Sequence, residues 1–230
     1  MEEVRALAAL AQEIADCRRC PRLVAYRETV AREKRRAFRD QDYWGRAVPG
    51  FGDAQAALLI VGLAPAAHGA NRTGRMFTGD RSGDFLMAAL YREGFANQPS
   101  SENRTDGLQL KDAYLAAAVR CAPPDNKPLP LEIETCEPFL EREMHLLQRT
   151  RVVLCLGQLA WNRTRQLLRR MGAPQTTVTF AHGVENRLPA PWPTLVASYH
   201  PSQQNTFTGR LTEPMIDAVL QRCRELVGSL

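Results

Sequence analysis

The residue types with the clearest capacity for chemistry are cysteines, which occur in two groups along the 230-residue chain. Cys17 and Cys20 are separated by two residues, so both sulfurs could reach one metal ion. Cys121 and Cys136 form a second group much later in the chain. Four thiolates from two separate segments suit an iron–sulfur cluster or a structural zinc ion. Spacing alone does not choose between these metals, and two unrelated pairs of free thiols remain the alternative.

The other two cysteines, Cys155 and Cys223, lie in an apolar run and an amphipathic segment, where small buried hydrophobes are expected. The chain starts with an acidic helical segment that has neither the basic start nor the cleavage site of a signal peptide. No apolar run approaches the ~20 residues that a membrane helix needs. We therefore expect a soluble cytoplasmic protein without a membrane partner, in which disulfides are uncommon.

A loop of small and polar residues follows the apolar run 57–61 and extends from Gly62 to Gly83. Small residues let a backbone approach a ligand closely. Phe77 stands alone among polar neighbours, where it could stack on a planar ligand or anchor the loop to the core. The polar side chains of this loop that could face a ligand are those of Asn71, Arg72, Arg75, Asp80 and Arg81.

The elements that must position these residues follow from the hydrophobic pattern. Short continuous apolar runs alternate with helical periodicity, which predicts a mostly parallel sheet covered by helices on both faces. Strands are predicted at 57–61, 114–120, 152–156 and 194–198. Helices are predicted at 2–16, 22–40, 84–91, 131–149, 158–170 and 212–227.

Ligand sites of such sheets lie beyond the carboxyl ends of the strands. Three predicted strand ends carry unusual residues, namely the loop that starts at Gly62, the stretch 121–124, and His200. We expect these three segments to meet at one edge of the sheet. The imidazole of His200 would then be available as a hydrogen-bond donor, although a histidine before Pro201 could also simply cap a turn.

The charge of the chain gives a weaker indication of its binding partner. The net charge is +5, and all but three of the 30 basic residues are arginine. Arginine contacts phosphate with a forked geometry and stacks on bases, so nucleic acid is a reasonable partner. A compositional bias of the genome would produce the same excess. The charged run 32–36 is either a solvated helix face or a patch that contacts phosphates.

The chain resembles the uracil-DNA glycosylase superfamily, most closely its family 5, the iron–sulfur-containing B type. Four motifs in the same order carry this resemblance: the cysteine pair at 17 and 20, the loop 62–83, the stretch 119–124 together with Cys136, and His200-Pro201-Ser202. The resemblance implies an α/β fold, a three-layer αβα sandwich with a central four-stranded mostly parallel sheet. It also implies a single domain over 1–230, in which the N-terminal helical extension 1–50 carries two of the cluster cysteines.

The resemblance further implies a [4Fe–4S] cluster and a pocket for a base that is rotated out of DNA. The cluster ligands would be Cys17, Cys20, Cys121 and Cys136. Phe77 would stack on the base, and His200 would donate a hydrogen bond to its O2 atom. The segment that lines the pocket would include Gly62, Leu63, Ala64 and Ala66.

Contacts with DNA are expected from two segments. Arg72 and Arg75 of the pocket loop are candidates to bind phosphates. The resemblance implies that the loop after Pro201 enters the duplex and fills the gap left by the base. The candidate residues of that loop are Ser202, Gln203, Gln204 and Asn205.

This sequence departs from better-known relatives at two positions. They carry Asp, Asn or Glu just before the proline of the first motif to position the attacking water, whereas this chain has Leu63 and Ala64. Relatives strict for uracil also have an asparagine where this chain has Ala117. We therefore take Asp80 as the candidate to orient water or stabilise a cationic sugar, with a salt bridge to Arg75 or Arg81 as the alternative. Asn126 becomes the candidate to read the base edge.

These observations predict a monofunctional DNA glycosylase that removes uracil, and also hypoxanthine and xanthine, from double- and single-stranded DNA. We expect a monomer in the cytoplasm that associates with the nucleoid while on DNA. Two other classes of protein remain as alternatives. One is a non-catalytic protein that binds damaged bases, and the other is a zinc-containing nucleotide-binding protein, against which the absence of a GK[ST] ending in the loop argues.

Overall fold

The computed structural model describes residues 2–228 of the chain. Met1, Ser229 and Leu230 lie outside the described residues. The prediction of a single domain over 1–230 is therefore discussed for residues 2–228. The α-helices are α1 (Glu2–Ala15), α2 (Pro21–Glu33), α3 (Ala70–Thr73), α4 (Arg81–Arg92), α5 (Pro130–Leu146), α6 (Gln158–Arg170), α7 (Gln203–Phe207) and α8 (Glu213–Gly228). Short 3-10 helices occur at Arg36–Phe38 and Pro124–Asn126.

Six strands form one sheet in the order β1-β3-β2-β4-β6-β5. They are β1 (Phe51–Gly52), β2 (Leu58–Gly62), β3 (Ala113–Ala117), β4 (Val152–Leu156), β5 (Glu185–Asn186) and β6 (Thr194–Ser198). The four inner strands are parallel, and the two-residue edge strands are antiparallel to their neighbours. The predicted four-stranded parallel sheet is thus confirmed as the centre of a six-stranded sheet.

The inner strands are buried along almost their whole length because each face of the sheet is covered by helices. On one face, Leu58 and Leu154 pack with apolar residues of α4 and α8. On the other face, Leu59 and Val153 pack with residues of α6, including the fully buried Trp161. Successive residues of one strand therefore serve opposite layers, which gives the αβα sandwich.

A third apolar cluster lies beside this sandwich and joins the N-terminal segment to the sheet. Leu10 and Ile14 of α1 and Leu23 of α2 pack there against Phe139 of α5. All four cysteines proposed as metal ligands belong to or border this cluster. The N-terminal helices are therefore placed so that their cysteines can meet the later ones.

Several boundaries differ from the sequence prediction for physical reasons. Strand β3 ends at Ala117 instead of residue 120, because the amides of Ala118 and Val119 turn to the carbonyls of Gly62 and Leu63 at 3.0 and 2.9 Å. The predicted helix 22–40 ends at Glu33, since Lys34 adopts a φ of 53°. The two edge strands and helices α3 and α7 were not predicted. No helix within residues 2–228 has the length and apolar character needed to span a membrane.

Candidate active site and cysteine centre

A cavity of about 500 Å³ lies at the carboxyl edge of the sheet, within the size range typical of small-ligand sites. The segments after β2, β3 and β6 contribute to it, as the topology predicts. The six residues proposed to contact the base all line it, namely Gly62, Leu63, Ala64, Ala66, Phe77 and Asn126. Asp80, His200, Ser202 and Gln204 line it as well. We call this cavity the base pocket.

Phe77 and His200 lie close together in the base pocket. Their ring centroids are 6.3 Å apart and the ring planes are inclined by 35°. Phe77 has a φ of 50°, a left-handed conformation that is uncommon for an aromatic residue and is often found at functional sites. The ring lies over Gly62, where a Cβ atom would be 2.8 Å from Phe77 Cζ. An aromatic face and an imidazole are therefore presented together to anything that enters the pocket.

The environment of His200 keeps its imidazole neutral near pH 7. Burial lowers the pKa of His200 to about 4, because the charged form loses hydration. The side chain of Asn205 donates a hydrogen bond of 2.9 Å to the backbone carbonyl of His200. A neutral imidazole still has one N–H group, so His200 can donate a hydrogen bond without carrying charge.

Asp80 lies between the base pocket and helix α4. Its Oδ1 atom accepts a hydrogen bond from the Gly83 amide at 2.9 Å, which makes it the N-cap of the helix. Burial raises the pKa of Asp80, while the amides of Gly83 and Ser82 counteract that shift. Within residues 2–228, Asp80 forms no salt bridge with Arg75 or Arg81, since Arg75 pairs with Asp106 and Arg81 lies over the ring of Phe207. The other carboxylate oxygen of Asp80 faces Gly69, where a Cβ atom would collide with it.

The segment after Pro201 is a short helix instead of the predicted loop. Ser202 is the N-cap of α7, and its Oγ atom accepts a hydrogen bond from the backbone amide of Asn205 at 3.4 Å. Gln204 reaches the base pocket and Gln203 lines a larger groove beside it, whereas Asn205 holds the backbone of His200. Phe207 at the end of α7 is 68% exposed. Asn205 therefore supports the backbone of His200, and the neighbouring side chains of Gln203 and Gln204 are exposed.

Arg75, predicted to contact DNA, lies in the interior of the protein and is 4% exposed. Its guanidinium pairs with Asp106 at 2.6 Å and donates to Ser101 Oγ at 2.8 Å. These bonds attach the pocket loop to the segment around residue 106, a partner that the sequence could not indicate. Arg75 therefore stabilises the loop instead of binding phosphate, which corrects that prediction.

Arg72 is 8% exposed and its donors are also used within the protein. Its Nε atom donates to the His68 carbonyl at 2.8 Å and Nη2 donates to the Gly79 carbonyl at 2.6 Å. The guanidinium lies 4.0 Å above the ring of Phe38. Arg72 thus forms part of a groove wall, and the expected phosphate contact is corrected to this supporting position.

The groove of which Arg72 forms a wall is larger and more open than the base pocket, at about 1210 Å³. It joins the pocket at Ala66, Asp80 and Asn126, which line both. Arg35 and Arg81 also line it. Arg35 belongs to the charged run 32–36, and both arginines are exposed. The groove can therefore offer cationic side chains next to the base pocket.

Sequence reasoning did not single out several contributors to the base pocket, among them Leu159 and Met76. Leu159 is 52% exposed and lines the pocket from the start of α6. Met76 lines it beside Phe77. The glycine that follows β4, Gly157, marked a fourth strand end from which Leu159 could have been inferred. Nothing in the sequence distinguished Met76 from an ordinary core methionine.

The four proposed ligand cysteines line one small cavity, together with Arg120 and Leu23. We call Cys17, Cys20, Cys121 and Cys136 the cysteine centre. All are free thiols, and Cys155 and Cys223 lie elsewhere, fully buried as predicted. Among residues 2–228, no three histidine, cysteine or carboxylate side chains are yet gathered closely enough to hold a metal ion. The sulfurs share a cavity, so side-chain adjustments could bring them around one group.

The hydrogen-bond donors around the cysteine centre suit a negatively charged metal–sulfur group that is held by thiolates. Burial raises the pKa of Cys121 to about 11 and that of Cys136 to about 12, so a bound metal is needed to make them thiolates near pH 7. Arg27 Nη1 donates to Cys121 Sγ at 2.9 Å and the Arg120 amide donates to Cys136 Sγ at 3.2 Å. The buried Nε of Arg27 has no acceptor within the described chain. This donor set fits a metal–sulfur group.

Comparison with known proteins agrees with this geometry. A family model described as the uracil DNA glycosylase superfamily matches residues 49–224. A protein named type-5 uracil-DNA glycosylase from Mycobacterium tuberculosis is 53% identical over 216 residues, which cover 94% of this chain and 80% of that protein. Proteins of the same name are 49% identical in Thermus thermophilus (96% and 98% covered) and 46% identical in Pyrobaculum aerophilum (94% and 92% covered).

Proposed function

The chain belongs to the uracil DNA glycosylase superfamily, and from this membership we propose how it hydrolyses the N-glycosidic bond of uracil in DNA. It is an enzyme of DNA repair, a uracil-DNA glycosylase. The observation that carries the proposed mechanism is the pairing of Phe77 with His200, 6.3 Å apart in one cavity at the carboxyl edge of the sheet.

The target bond is inaccessible in a stacked duplex, so the nucleotide must rotate out of the helix. We propose that the ring of Phe77 stacks on the rotated base, while the backbone from Gly62 to Ala66 surrounds its edge. The base is then held in a fixed position relative to His200. Arg35 and Arg81 in the adjoining groove would bind phosphates, since both are exposed.

Bond cleavage leaves negative charge on the departing base and positive charge on the sugar. The neutral imidazole of His200 can donate a hydrogen bond to the base oxygen on which this charge develops. Such a donor favours the transition state over the ground state and is typically worth about 3 kcal/mol. The closed environment that lowers the pKa of His200 also strengthens this hydrogen bond.

Water must attack the anomeric carbon of the sugar. Asp80 is the carboxylate that lines both the base pocket and the groove. The side chains of Leu63 and Ala64 have no polar atom that could orient water. We therefore propose that Asp80 orients the water or stabilises the cationic sugar by its charge. The carboxylate is fixed by the Gly83 amide, which gives it a defined direction.

We propose that Cys17, Cys20, Cys121 and Cys136 hold a [4Fe–4S] cluster. The cluster would supply cross-links between the N-terminal helices and the sheet, and no step of the base release is assigned to it. Its support is the chemistry of the donor set, with four thiols in one cavity beside the guanidinium of Arg27.

We further propose that hypoxanthine and xanthine are released as well as uracil. The pocket walls are mainly small or apolar, and Ala117 offers no side-chain hydrogen bond to a pyrimidine edge. Asn126 at the rim is the remaining amide that could read the base. The enzyme would act as a monomer on double- and single-stranded DNA, as one domain, in the cytoplasm and on the nucleoid.

The test is incubation of the purified protein with oligonucleotides that each carry one deaminated base, followed by detection of alkali-labile abasic sites. We expect strand breaks with uracil, hypoxanthine and xanthine, and none with cytosine. Release of uracil alone would overturn the broad specificity. Tight binding without release of any base would overturn the glycosylase mechanism and favour a non-catalytic damage-binding protein.

A further inference from the structure

Arg27 of helix α2 connects the two groups of the cysteine centre. Its side chain is 1% exposed. Nη1 donates to Cys121 Sγ and Nη2 donates to the backbone carbonyl of Cys17, both at 2.9 Å. One guanidinium therefore contacts a cysteine from each of two distant segments of the chain.

The same residue is attached to the base pocket through its backbone. The carbonyl of Arg27 accepts a hydrogen bond from Asn71 Nδ2 at 3.2 Å. Asn71 is fully buried in α3, and its backbone N–H group donates a hydrogen bond to the carbonyl of Ala66 at 3.0 Å. Since Ala66 lines the base pocket, a continuous series of bonds and residues leads from the thiols to the pocket wall.

A buried guanidinium is costly unless a negative group compensates for its lost hydration. Within the described residues, the salt bridges of buried arginines join Arg75 to Asp106 and Arg120 to Glu143, and none involves Arg27. The group in hydrogen-bond contact with the Arg27 guanidinium that can carry negative charge is the Cys121 sulfur, whereas the Glu28 carboxylate acts at longer range. The burial of Arg27 is therefore compensated directly if the sulfurs of the cysteine centre are thiolates.

We propose that Arg27 is a positioning residue that fixes helix α2 to the cysteine centre and, through Asn71, holds residues 62–77 of the pocket loop in the conformation that receives a base. This inference rests on the proposed cluster and glycosylase mechanism. It has an electrostatic consequence as well. A cation that donates to a ligand sulfur favours the more negative, reduced form of an iron–sulfur cluster and raises its reduction potential.

The experiment compares Arg27→Met, Asn71→Ala and the control Arg22→Met. Arg22 lies on the same helix, but its guanidinium pairs with Glu132 at 2.7 Å. Each full-length protein is measured for iron per chain, cluster midpoint potential, amide hydrogen exchange and single-turnover uracil release. Arg27→Met and Asn71→Ala should exchange faster over residues 62–77 and release uracil about tenfold more slowly. Arg27→Met should also show a more negative midpoint potential. Arg22→Met should match the wild type in exchange over residues 62–77 and in uracil release.

An iron-replete Arg27→Met variant with wild-type exchange and release would overturn the inference. If Arg27→Met loses its iron, Asn71→Ala decides, because it breaks the connection without touching a residue of the cysteine centre. Wild-type exchange and release in that variant would then overturn it. If the wild-type protein binds no iron or releases no uracil, the proposed function fails, but the exchange data still decide whether Arg27 holds the loop.

Discussion

The carboxylate of Asp80 accepts a hydrogen bond from the Gly83 amide at 2.9 Å, so one residue both caps helix α4 and lines the base pocket. A cap and a catalytic carboxylate have different requirements. The cap needs an oxygen acceptor, which asparagine also provides. Stabilisation of a cationic sugar needs the negative charge, whereas a neutral amide can still orient water.

The substitution Asp80→Asn therefore separates the two roles. We expect the free energy of unfolding to change by less than about 1 kcal/mol, since the cap is retained. Single-turnover release of uracil should fall at least about tenfold, equivalent to about 1.4 kcal/mol of barrier. The matched control is Asp84→Asn, in the first turn of the same helix and on the groove wall. Full activity of Asp80→Asn would show that the negative charge of Asp80 is not required for uracil release.

The lowered pKa of His200 leads to a prediction about acid stability. The folded protein leaves this imidazole neutral down to about pH 4, whereas an unperturbed histidine takes up a proton near pH 6.5. Stability is complete above pH 6.5 and declines as the pH falls towards 4, because only the unfolded chain binds the proton there. The full effect is about 3 kcal/mol.

The measurement is the free energy of unfolding of the wild type and His200→Gln between pH 7 and 4. The wild type should lose more stability than the variant over this range. His182, whose pKa burial also lowers, is present in both proteins and cancels in the comparison. Parallel curves would show that His200 titrates normally and would remove the argument for a neutral donor.

Gly62 allows the ring of Phe77 to lie against the end of β2. A Cβ atom at this position would be 2.8 Å from Phe77 Cζ, so Gly62→Ala must displace the ring towards the base pocket. We expect uracil release to slow by about tenfold, with little change in affinity for undamaged DNA. Gly228→Ala is the control, since a Cβ there would meet nothing within 4 Å. Unchanged release would mean that the position of the Phe77 ring is unimportant.

If the cysteine centre binds iron, the loss of one of its cysteines should lower the iron content, whereas the loss of a buried cysteine elsewhere should not. Cys136→Ala should lose iron, visible absorbance and much of the soluble folded protein, because one of four ligands is removed. Cys155→Ala removes an equally buried thiol from the core of β4 and should keep its full iron content. Iron and sulfide analysis of the two variants decides this. Equal iron in both would exclude Cys136 as a ligand.

The sequence was sufficient for elements with strong local patterns. The strands 152–156 and 194–198 and the helix 158–170 match the structure at both ends, because uninterrupted apolar runs and the glycine after β4 define them. The convergence of Gly62, Phe77 and His200 followed from the rule for parallel sheets. Helix α7 was missed because residues 203–207 have no apolar periodicity, and the cap from Ser202 becomes apparent only in three dimensions.

Long-range pairing explains the errors at the site. Arg75 and Asp106 are distant in the sequence, and neither has a local feature that announces a buried ion pair. The partners of Arg72, among them Gln41 and Phe38, are likewise distant in the sequence and come beside it only in the fold. The contact between Arg27 and Cys121 was missed for the same reason. Sequence patterns locate backbone segments, whereas the partners of charged side chains depend on the completed fold.

The central claim is that Phe77 and His200 hold one rotated base in one pocket. It is tested most directly by single-turnover release of uracil from a labelled oligonucleotide by the wild type, Phe77→Ala and His200→Ala, with DNA affinity measured alongside. We expect His200→Ala to release uracil about 100-fold more slowly while its affinity for DNA changes little, and Phe77→Ala to be slower as well. Release at the wild-type rate by both variants would contradict the claim.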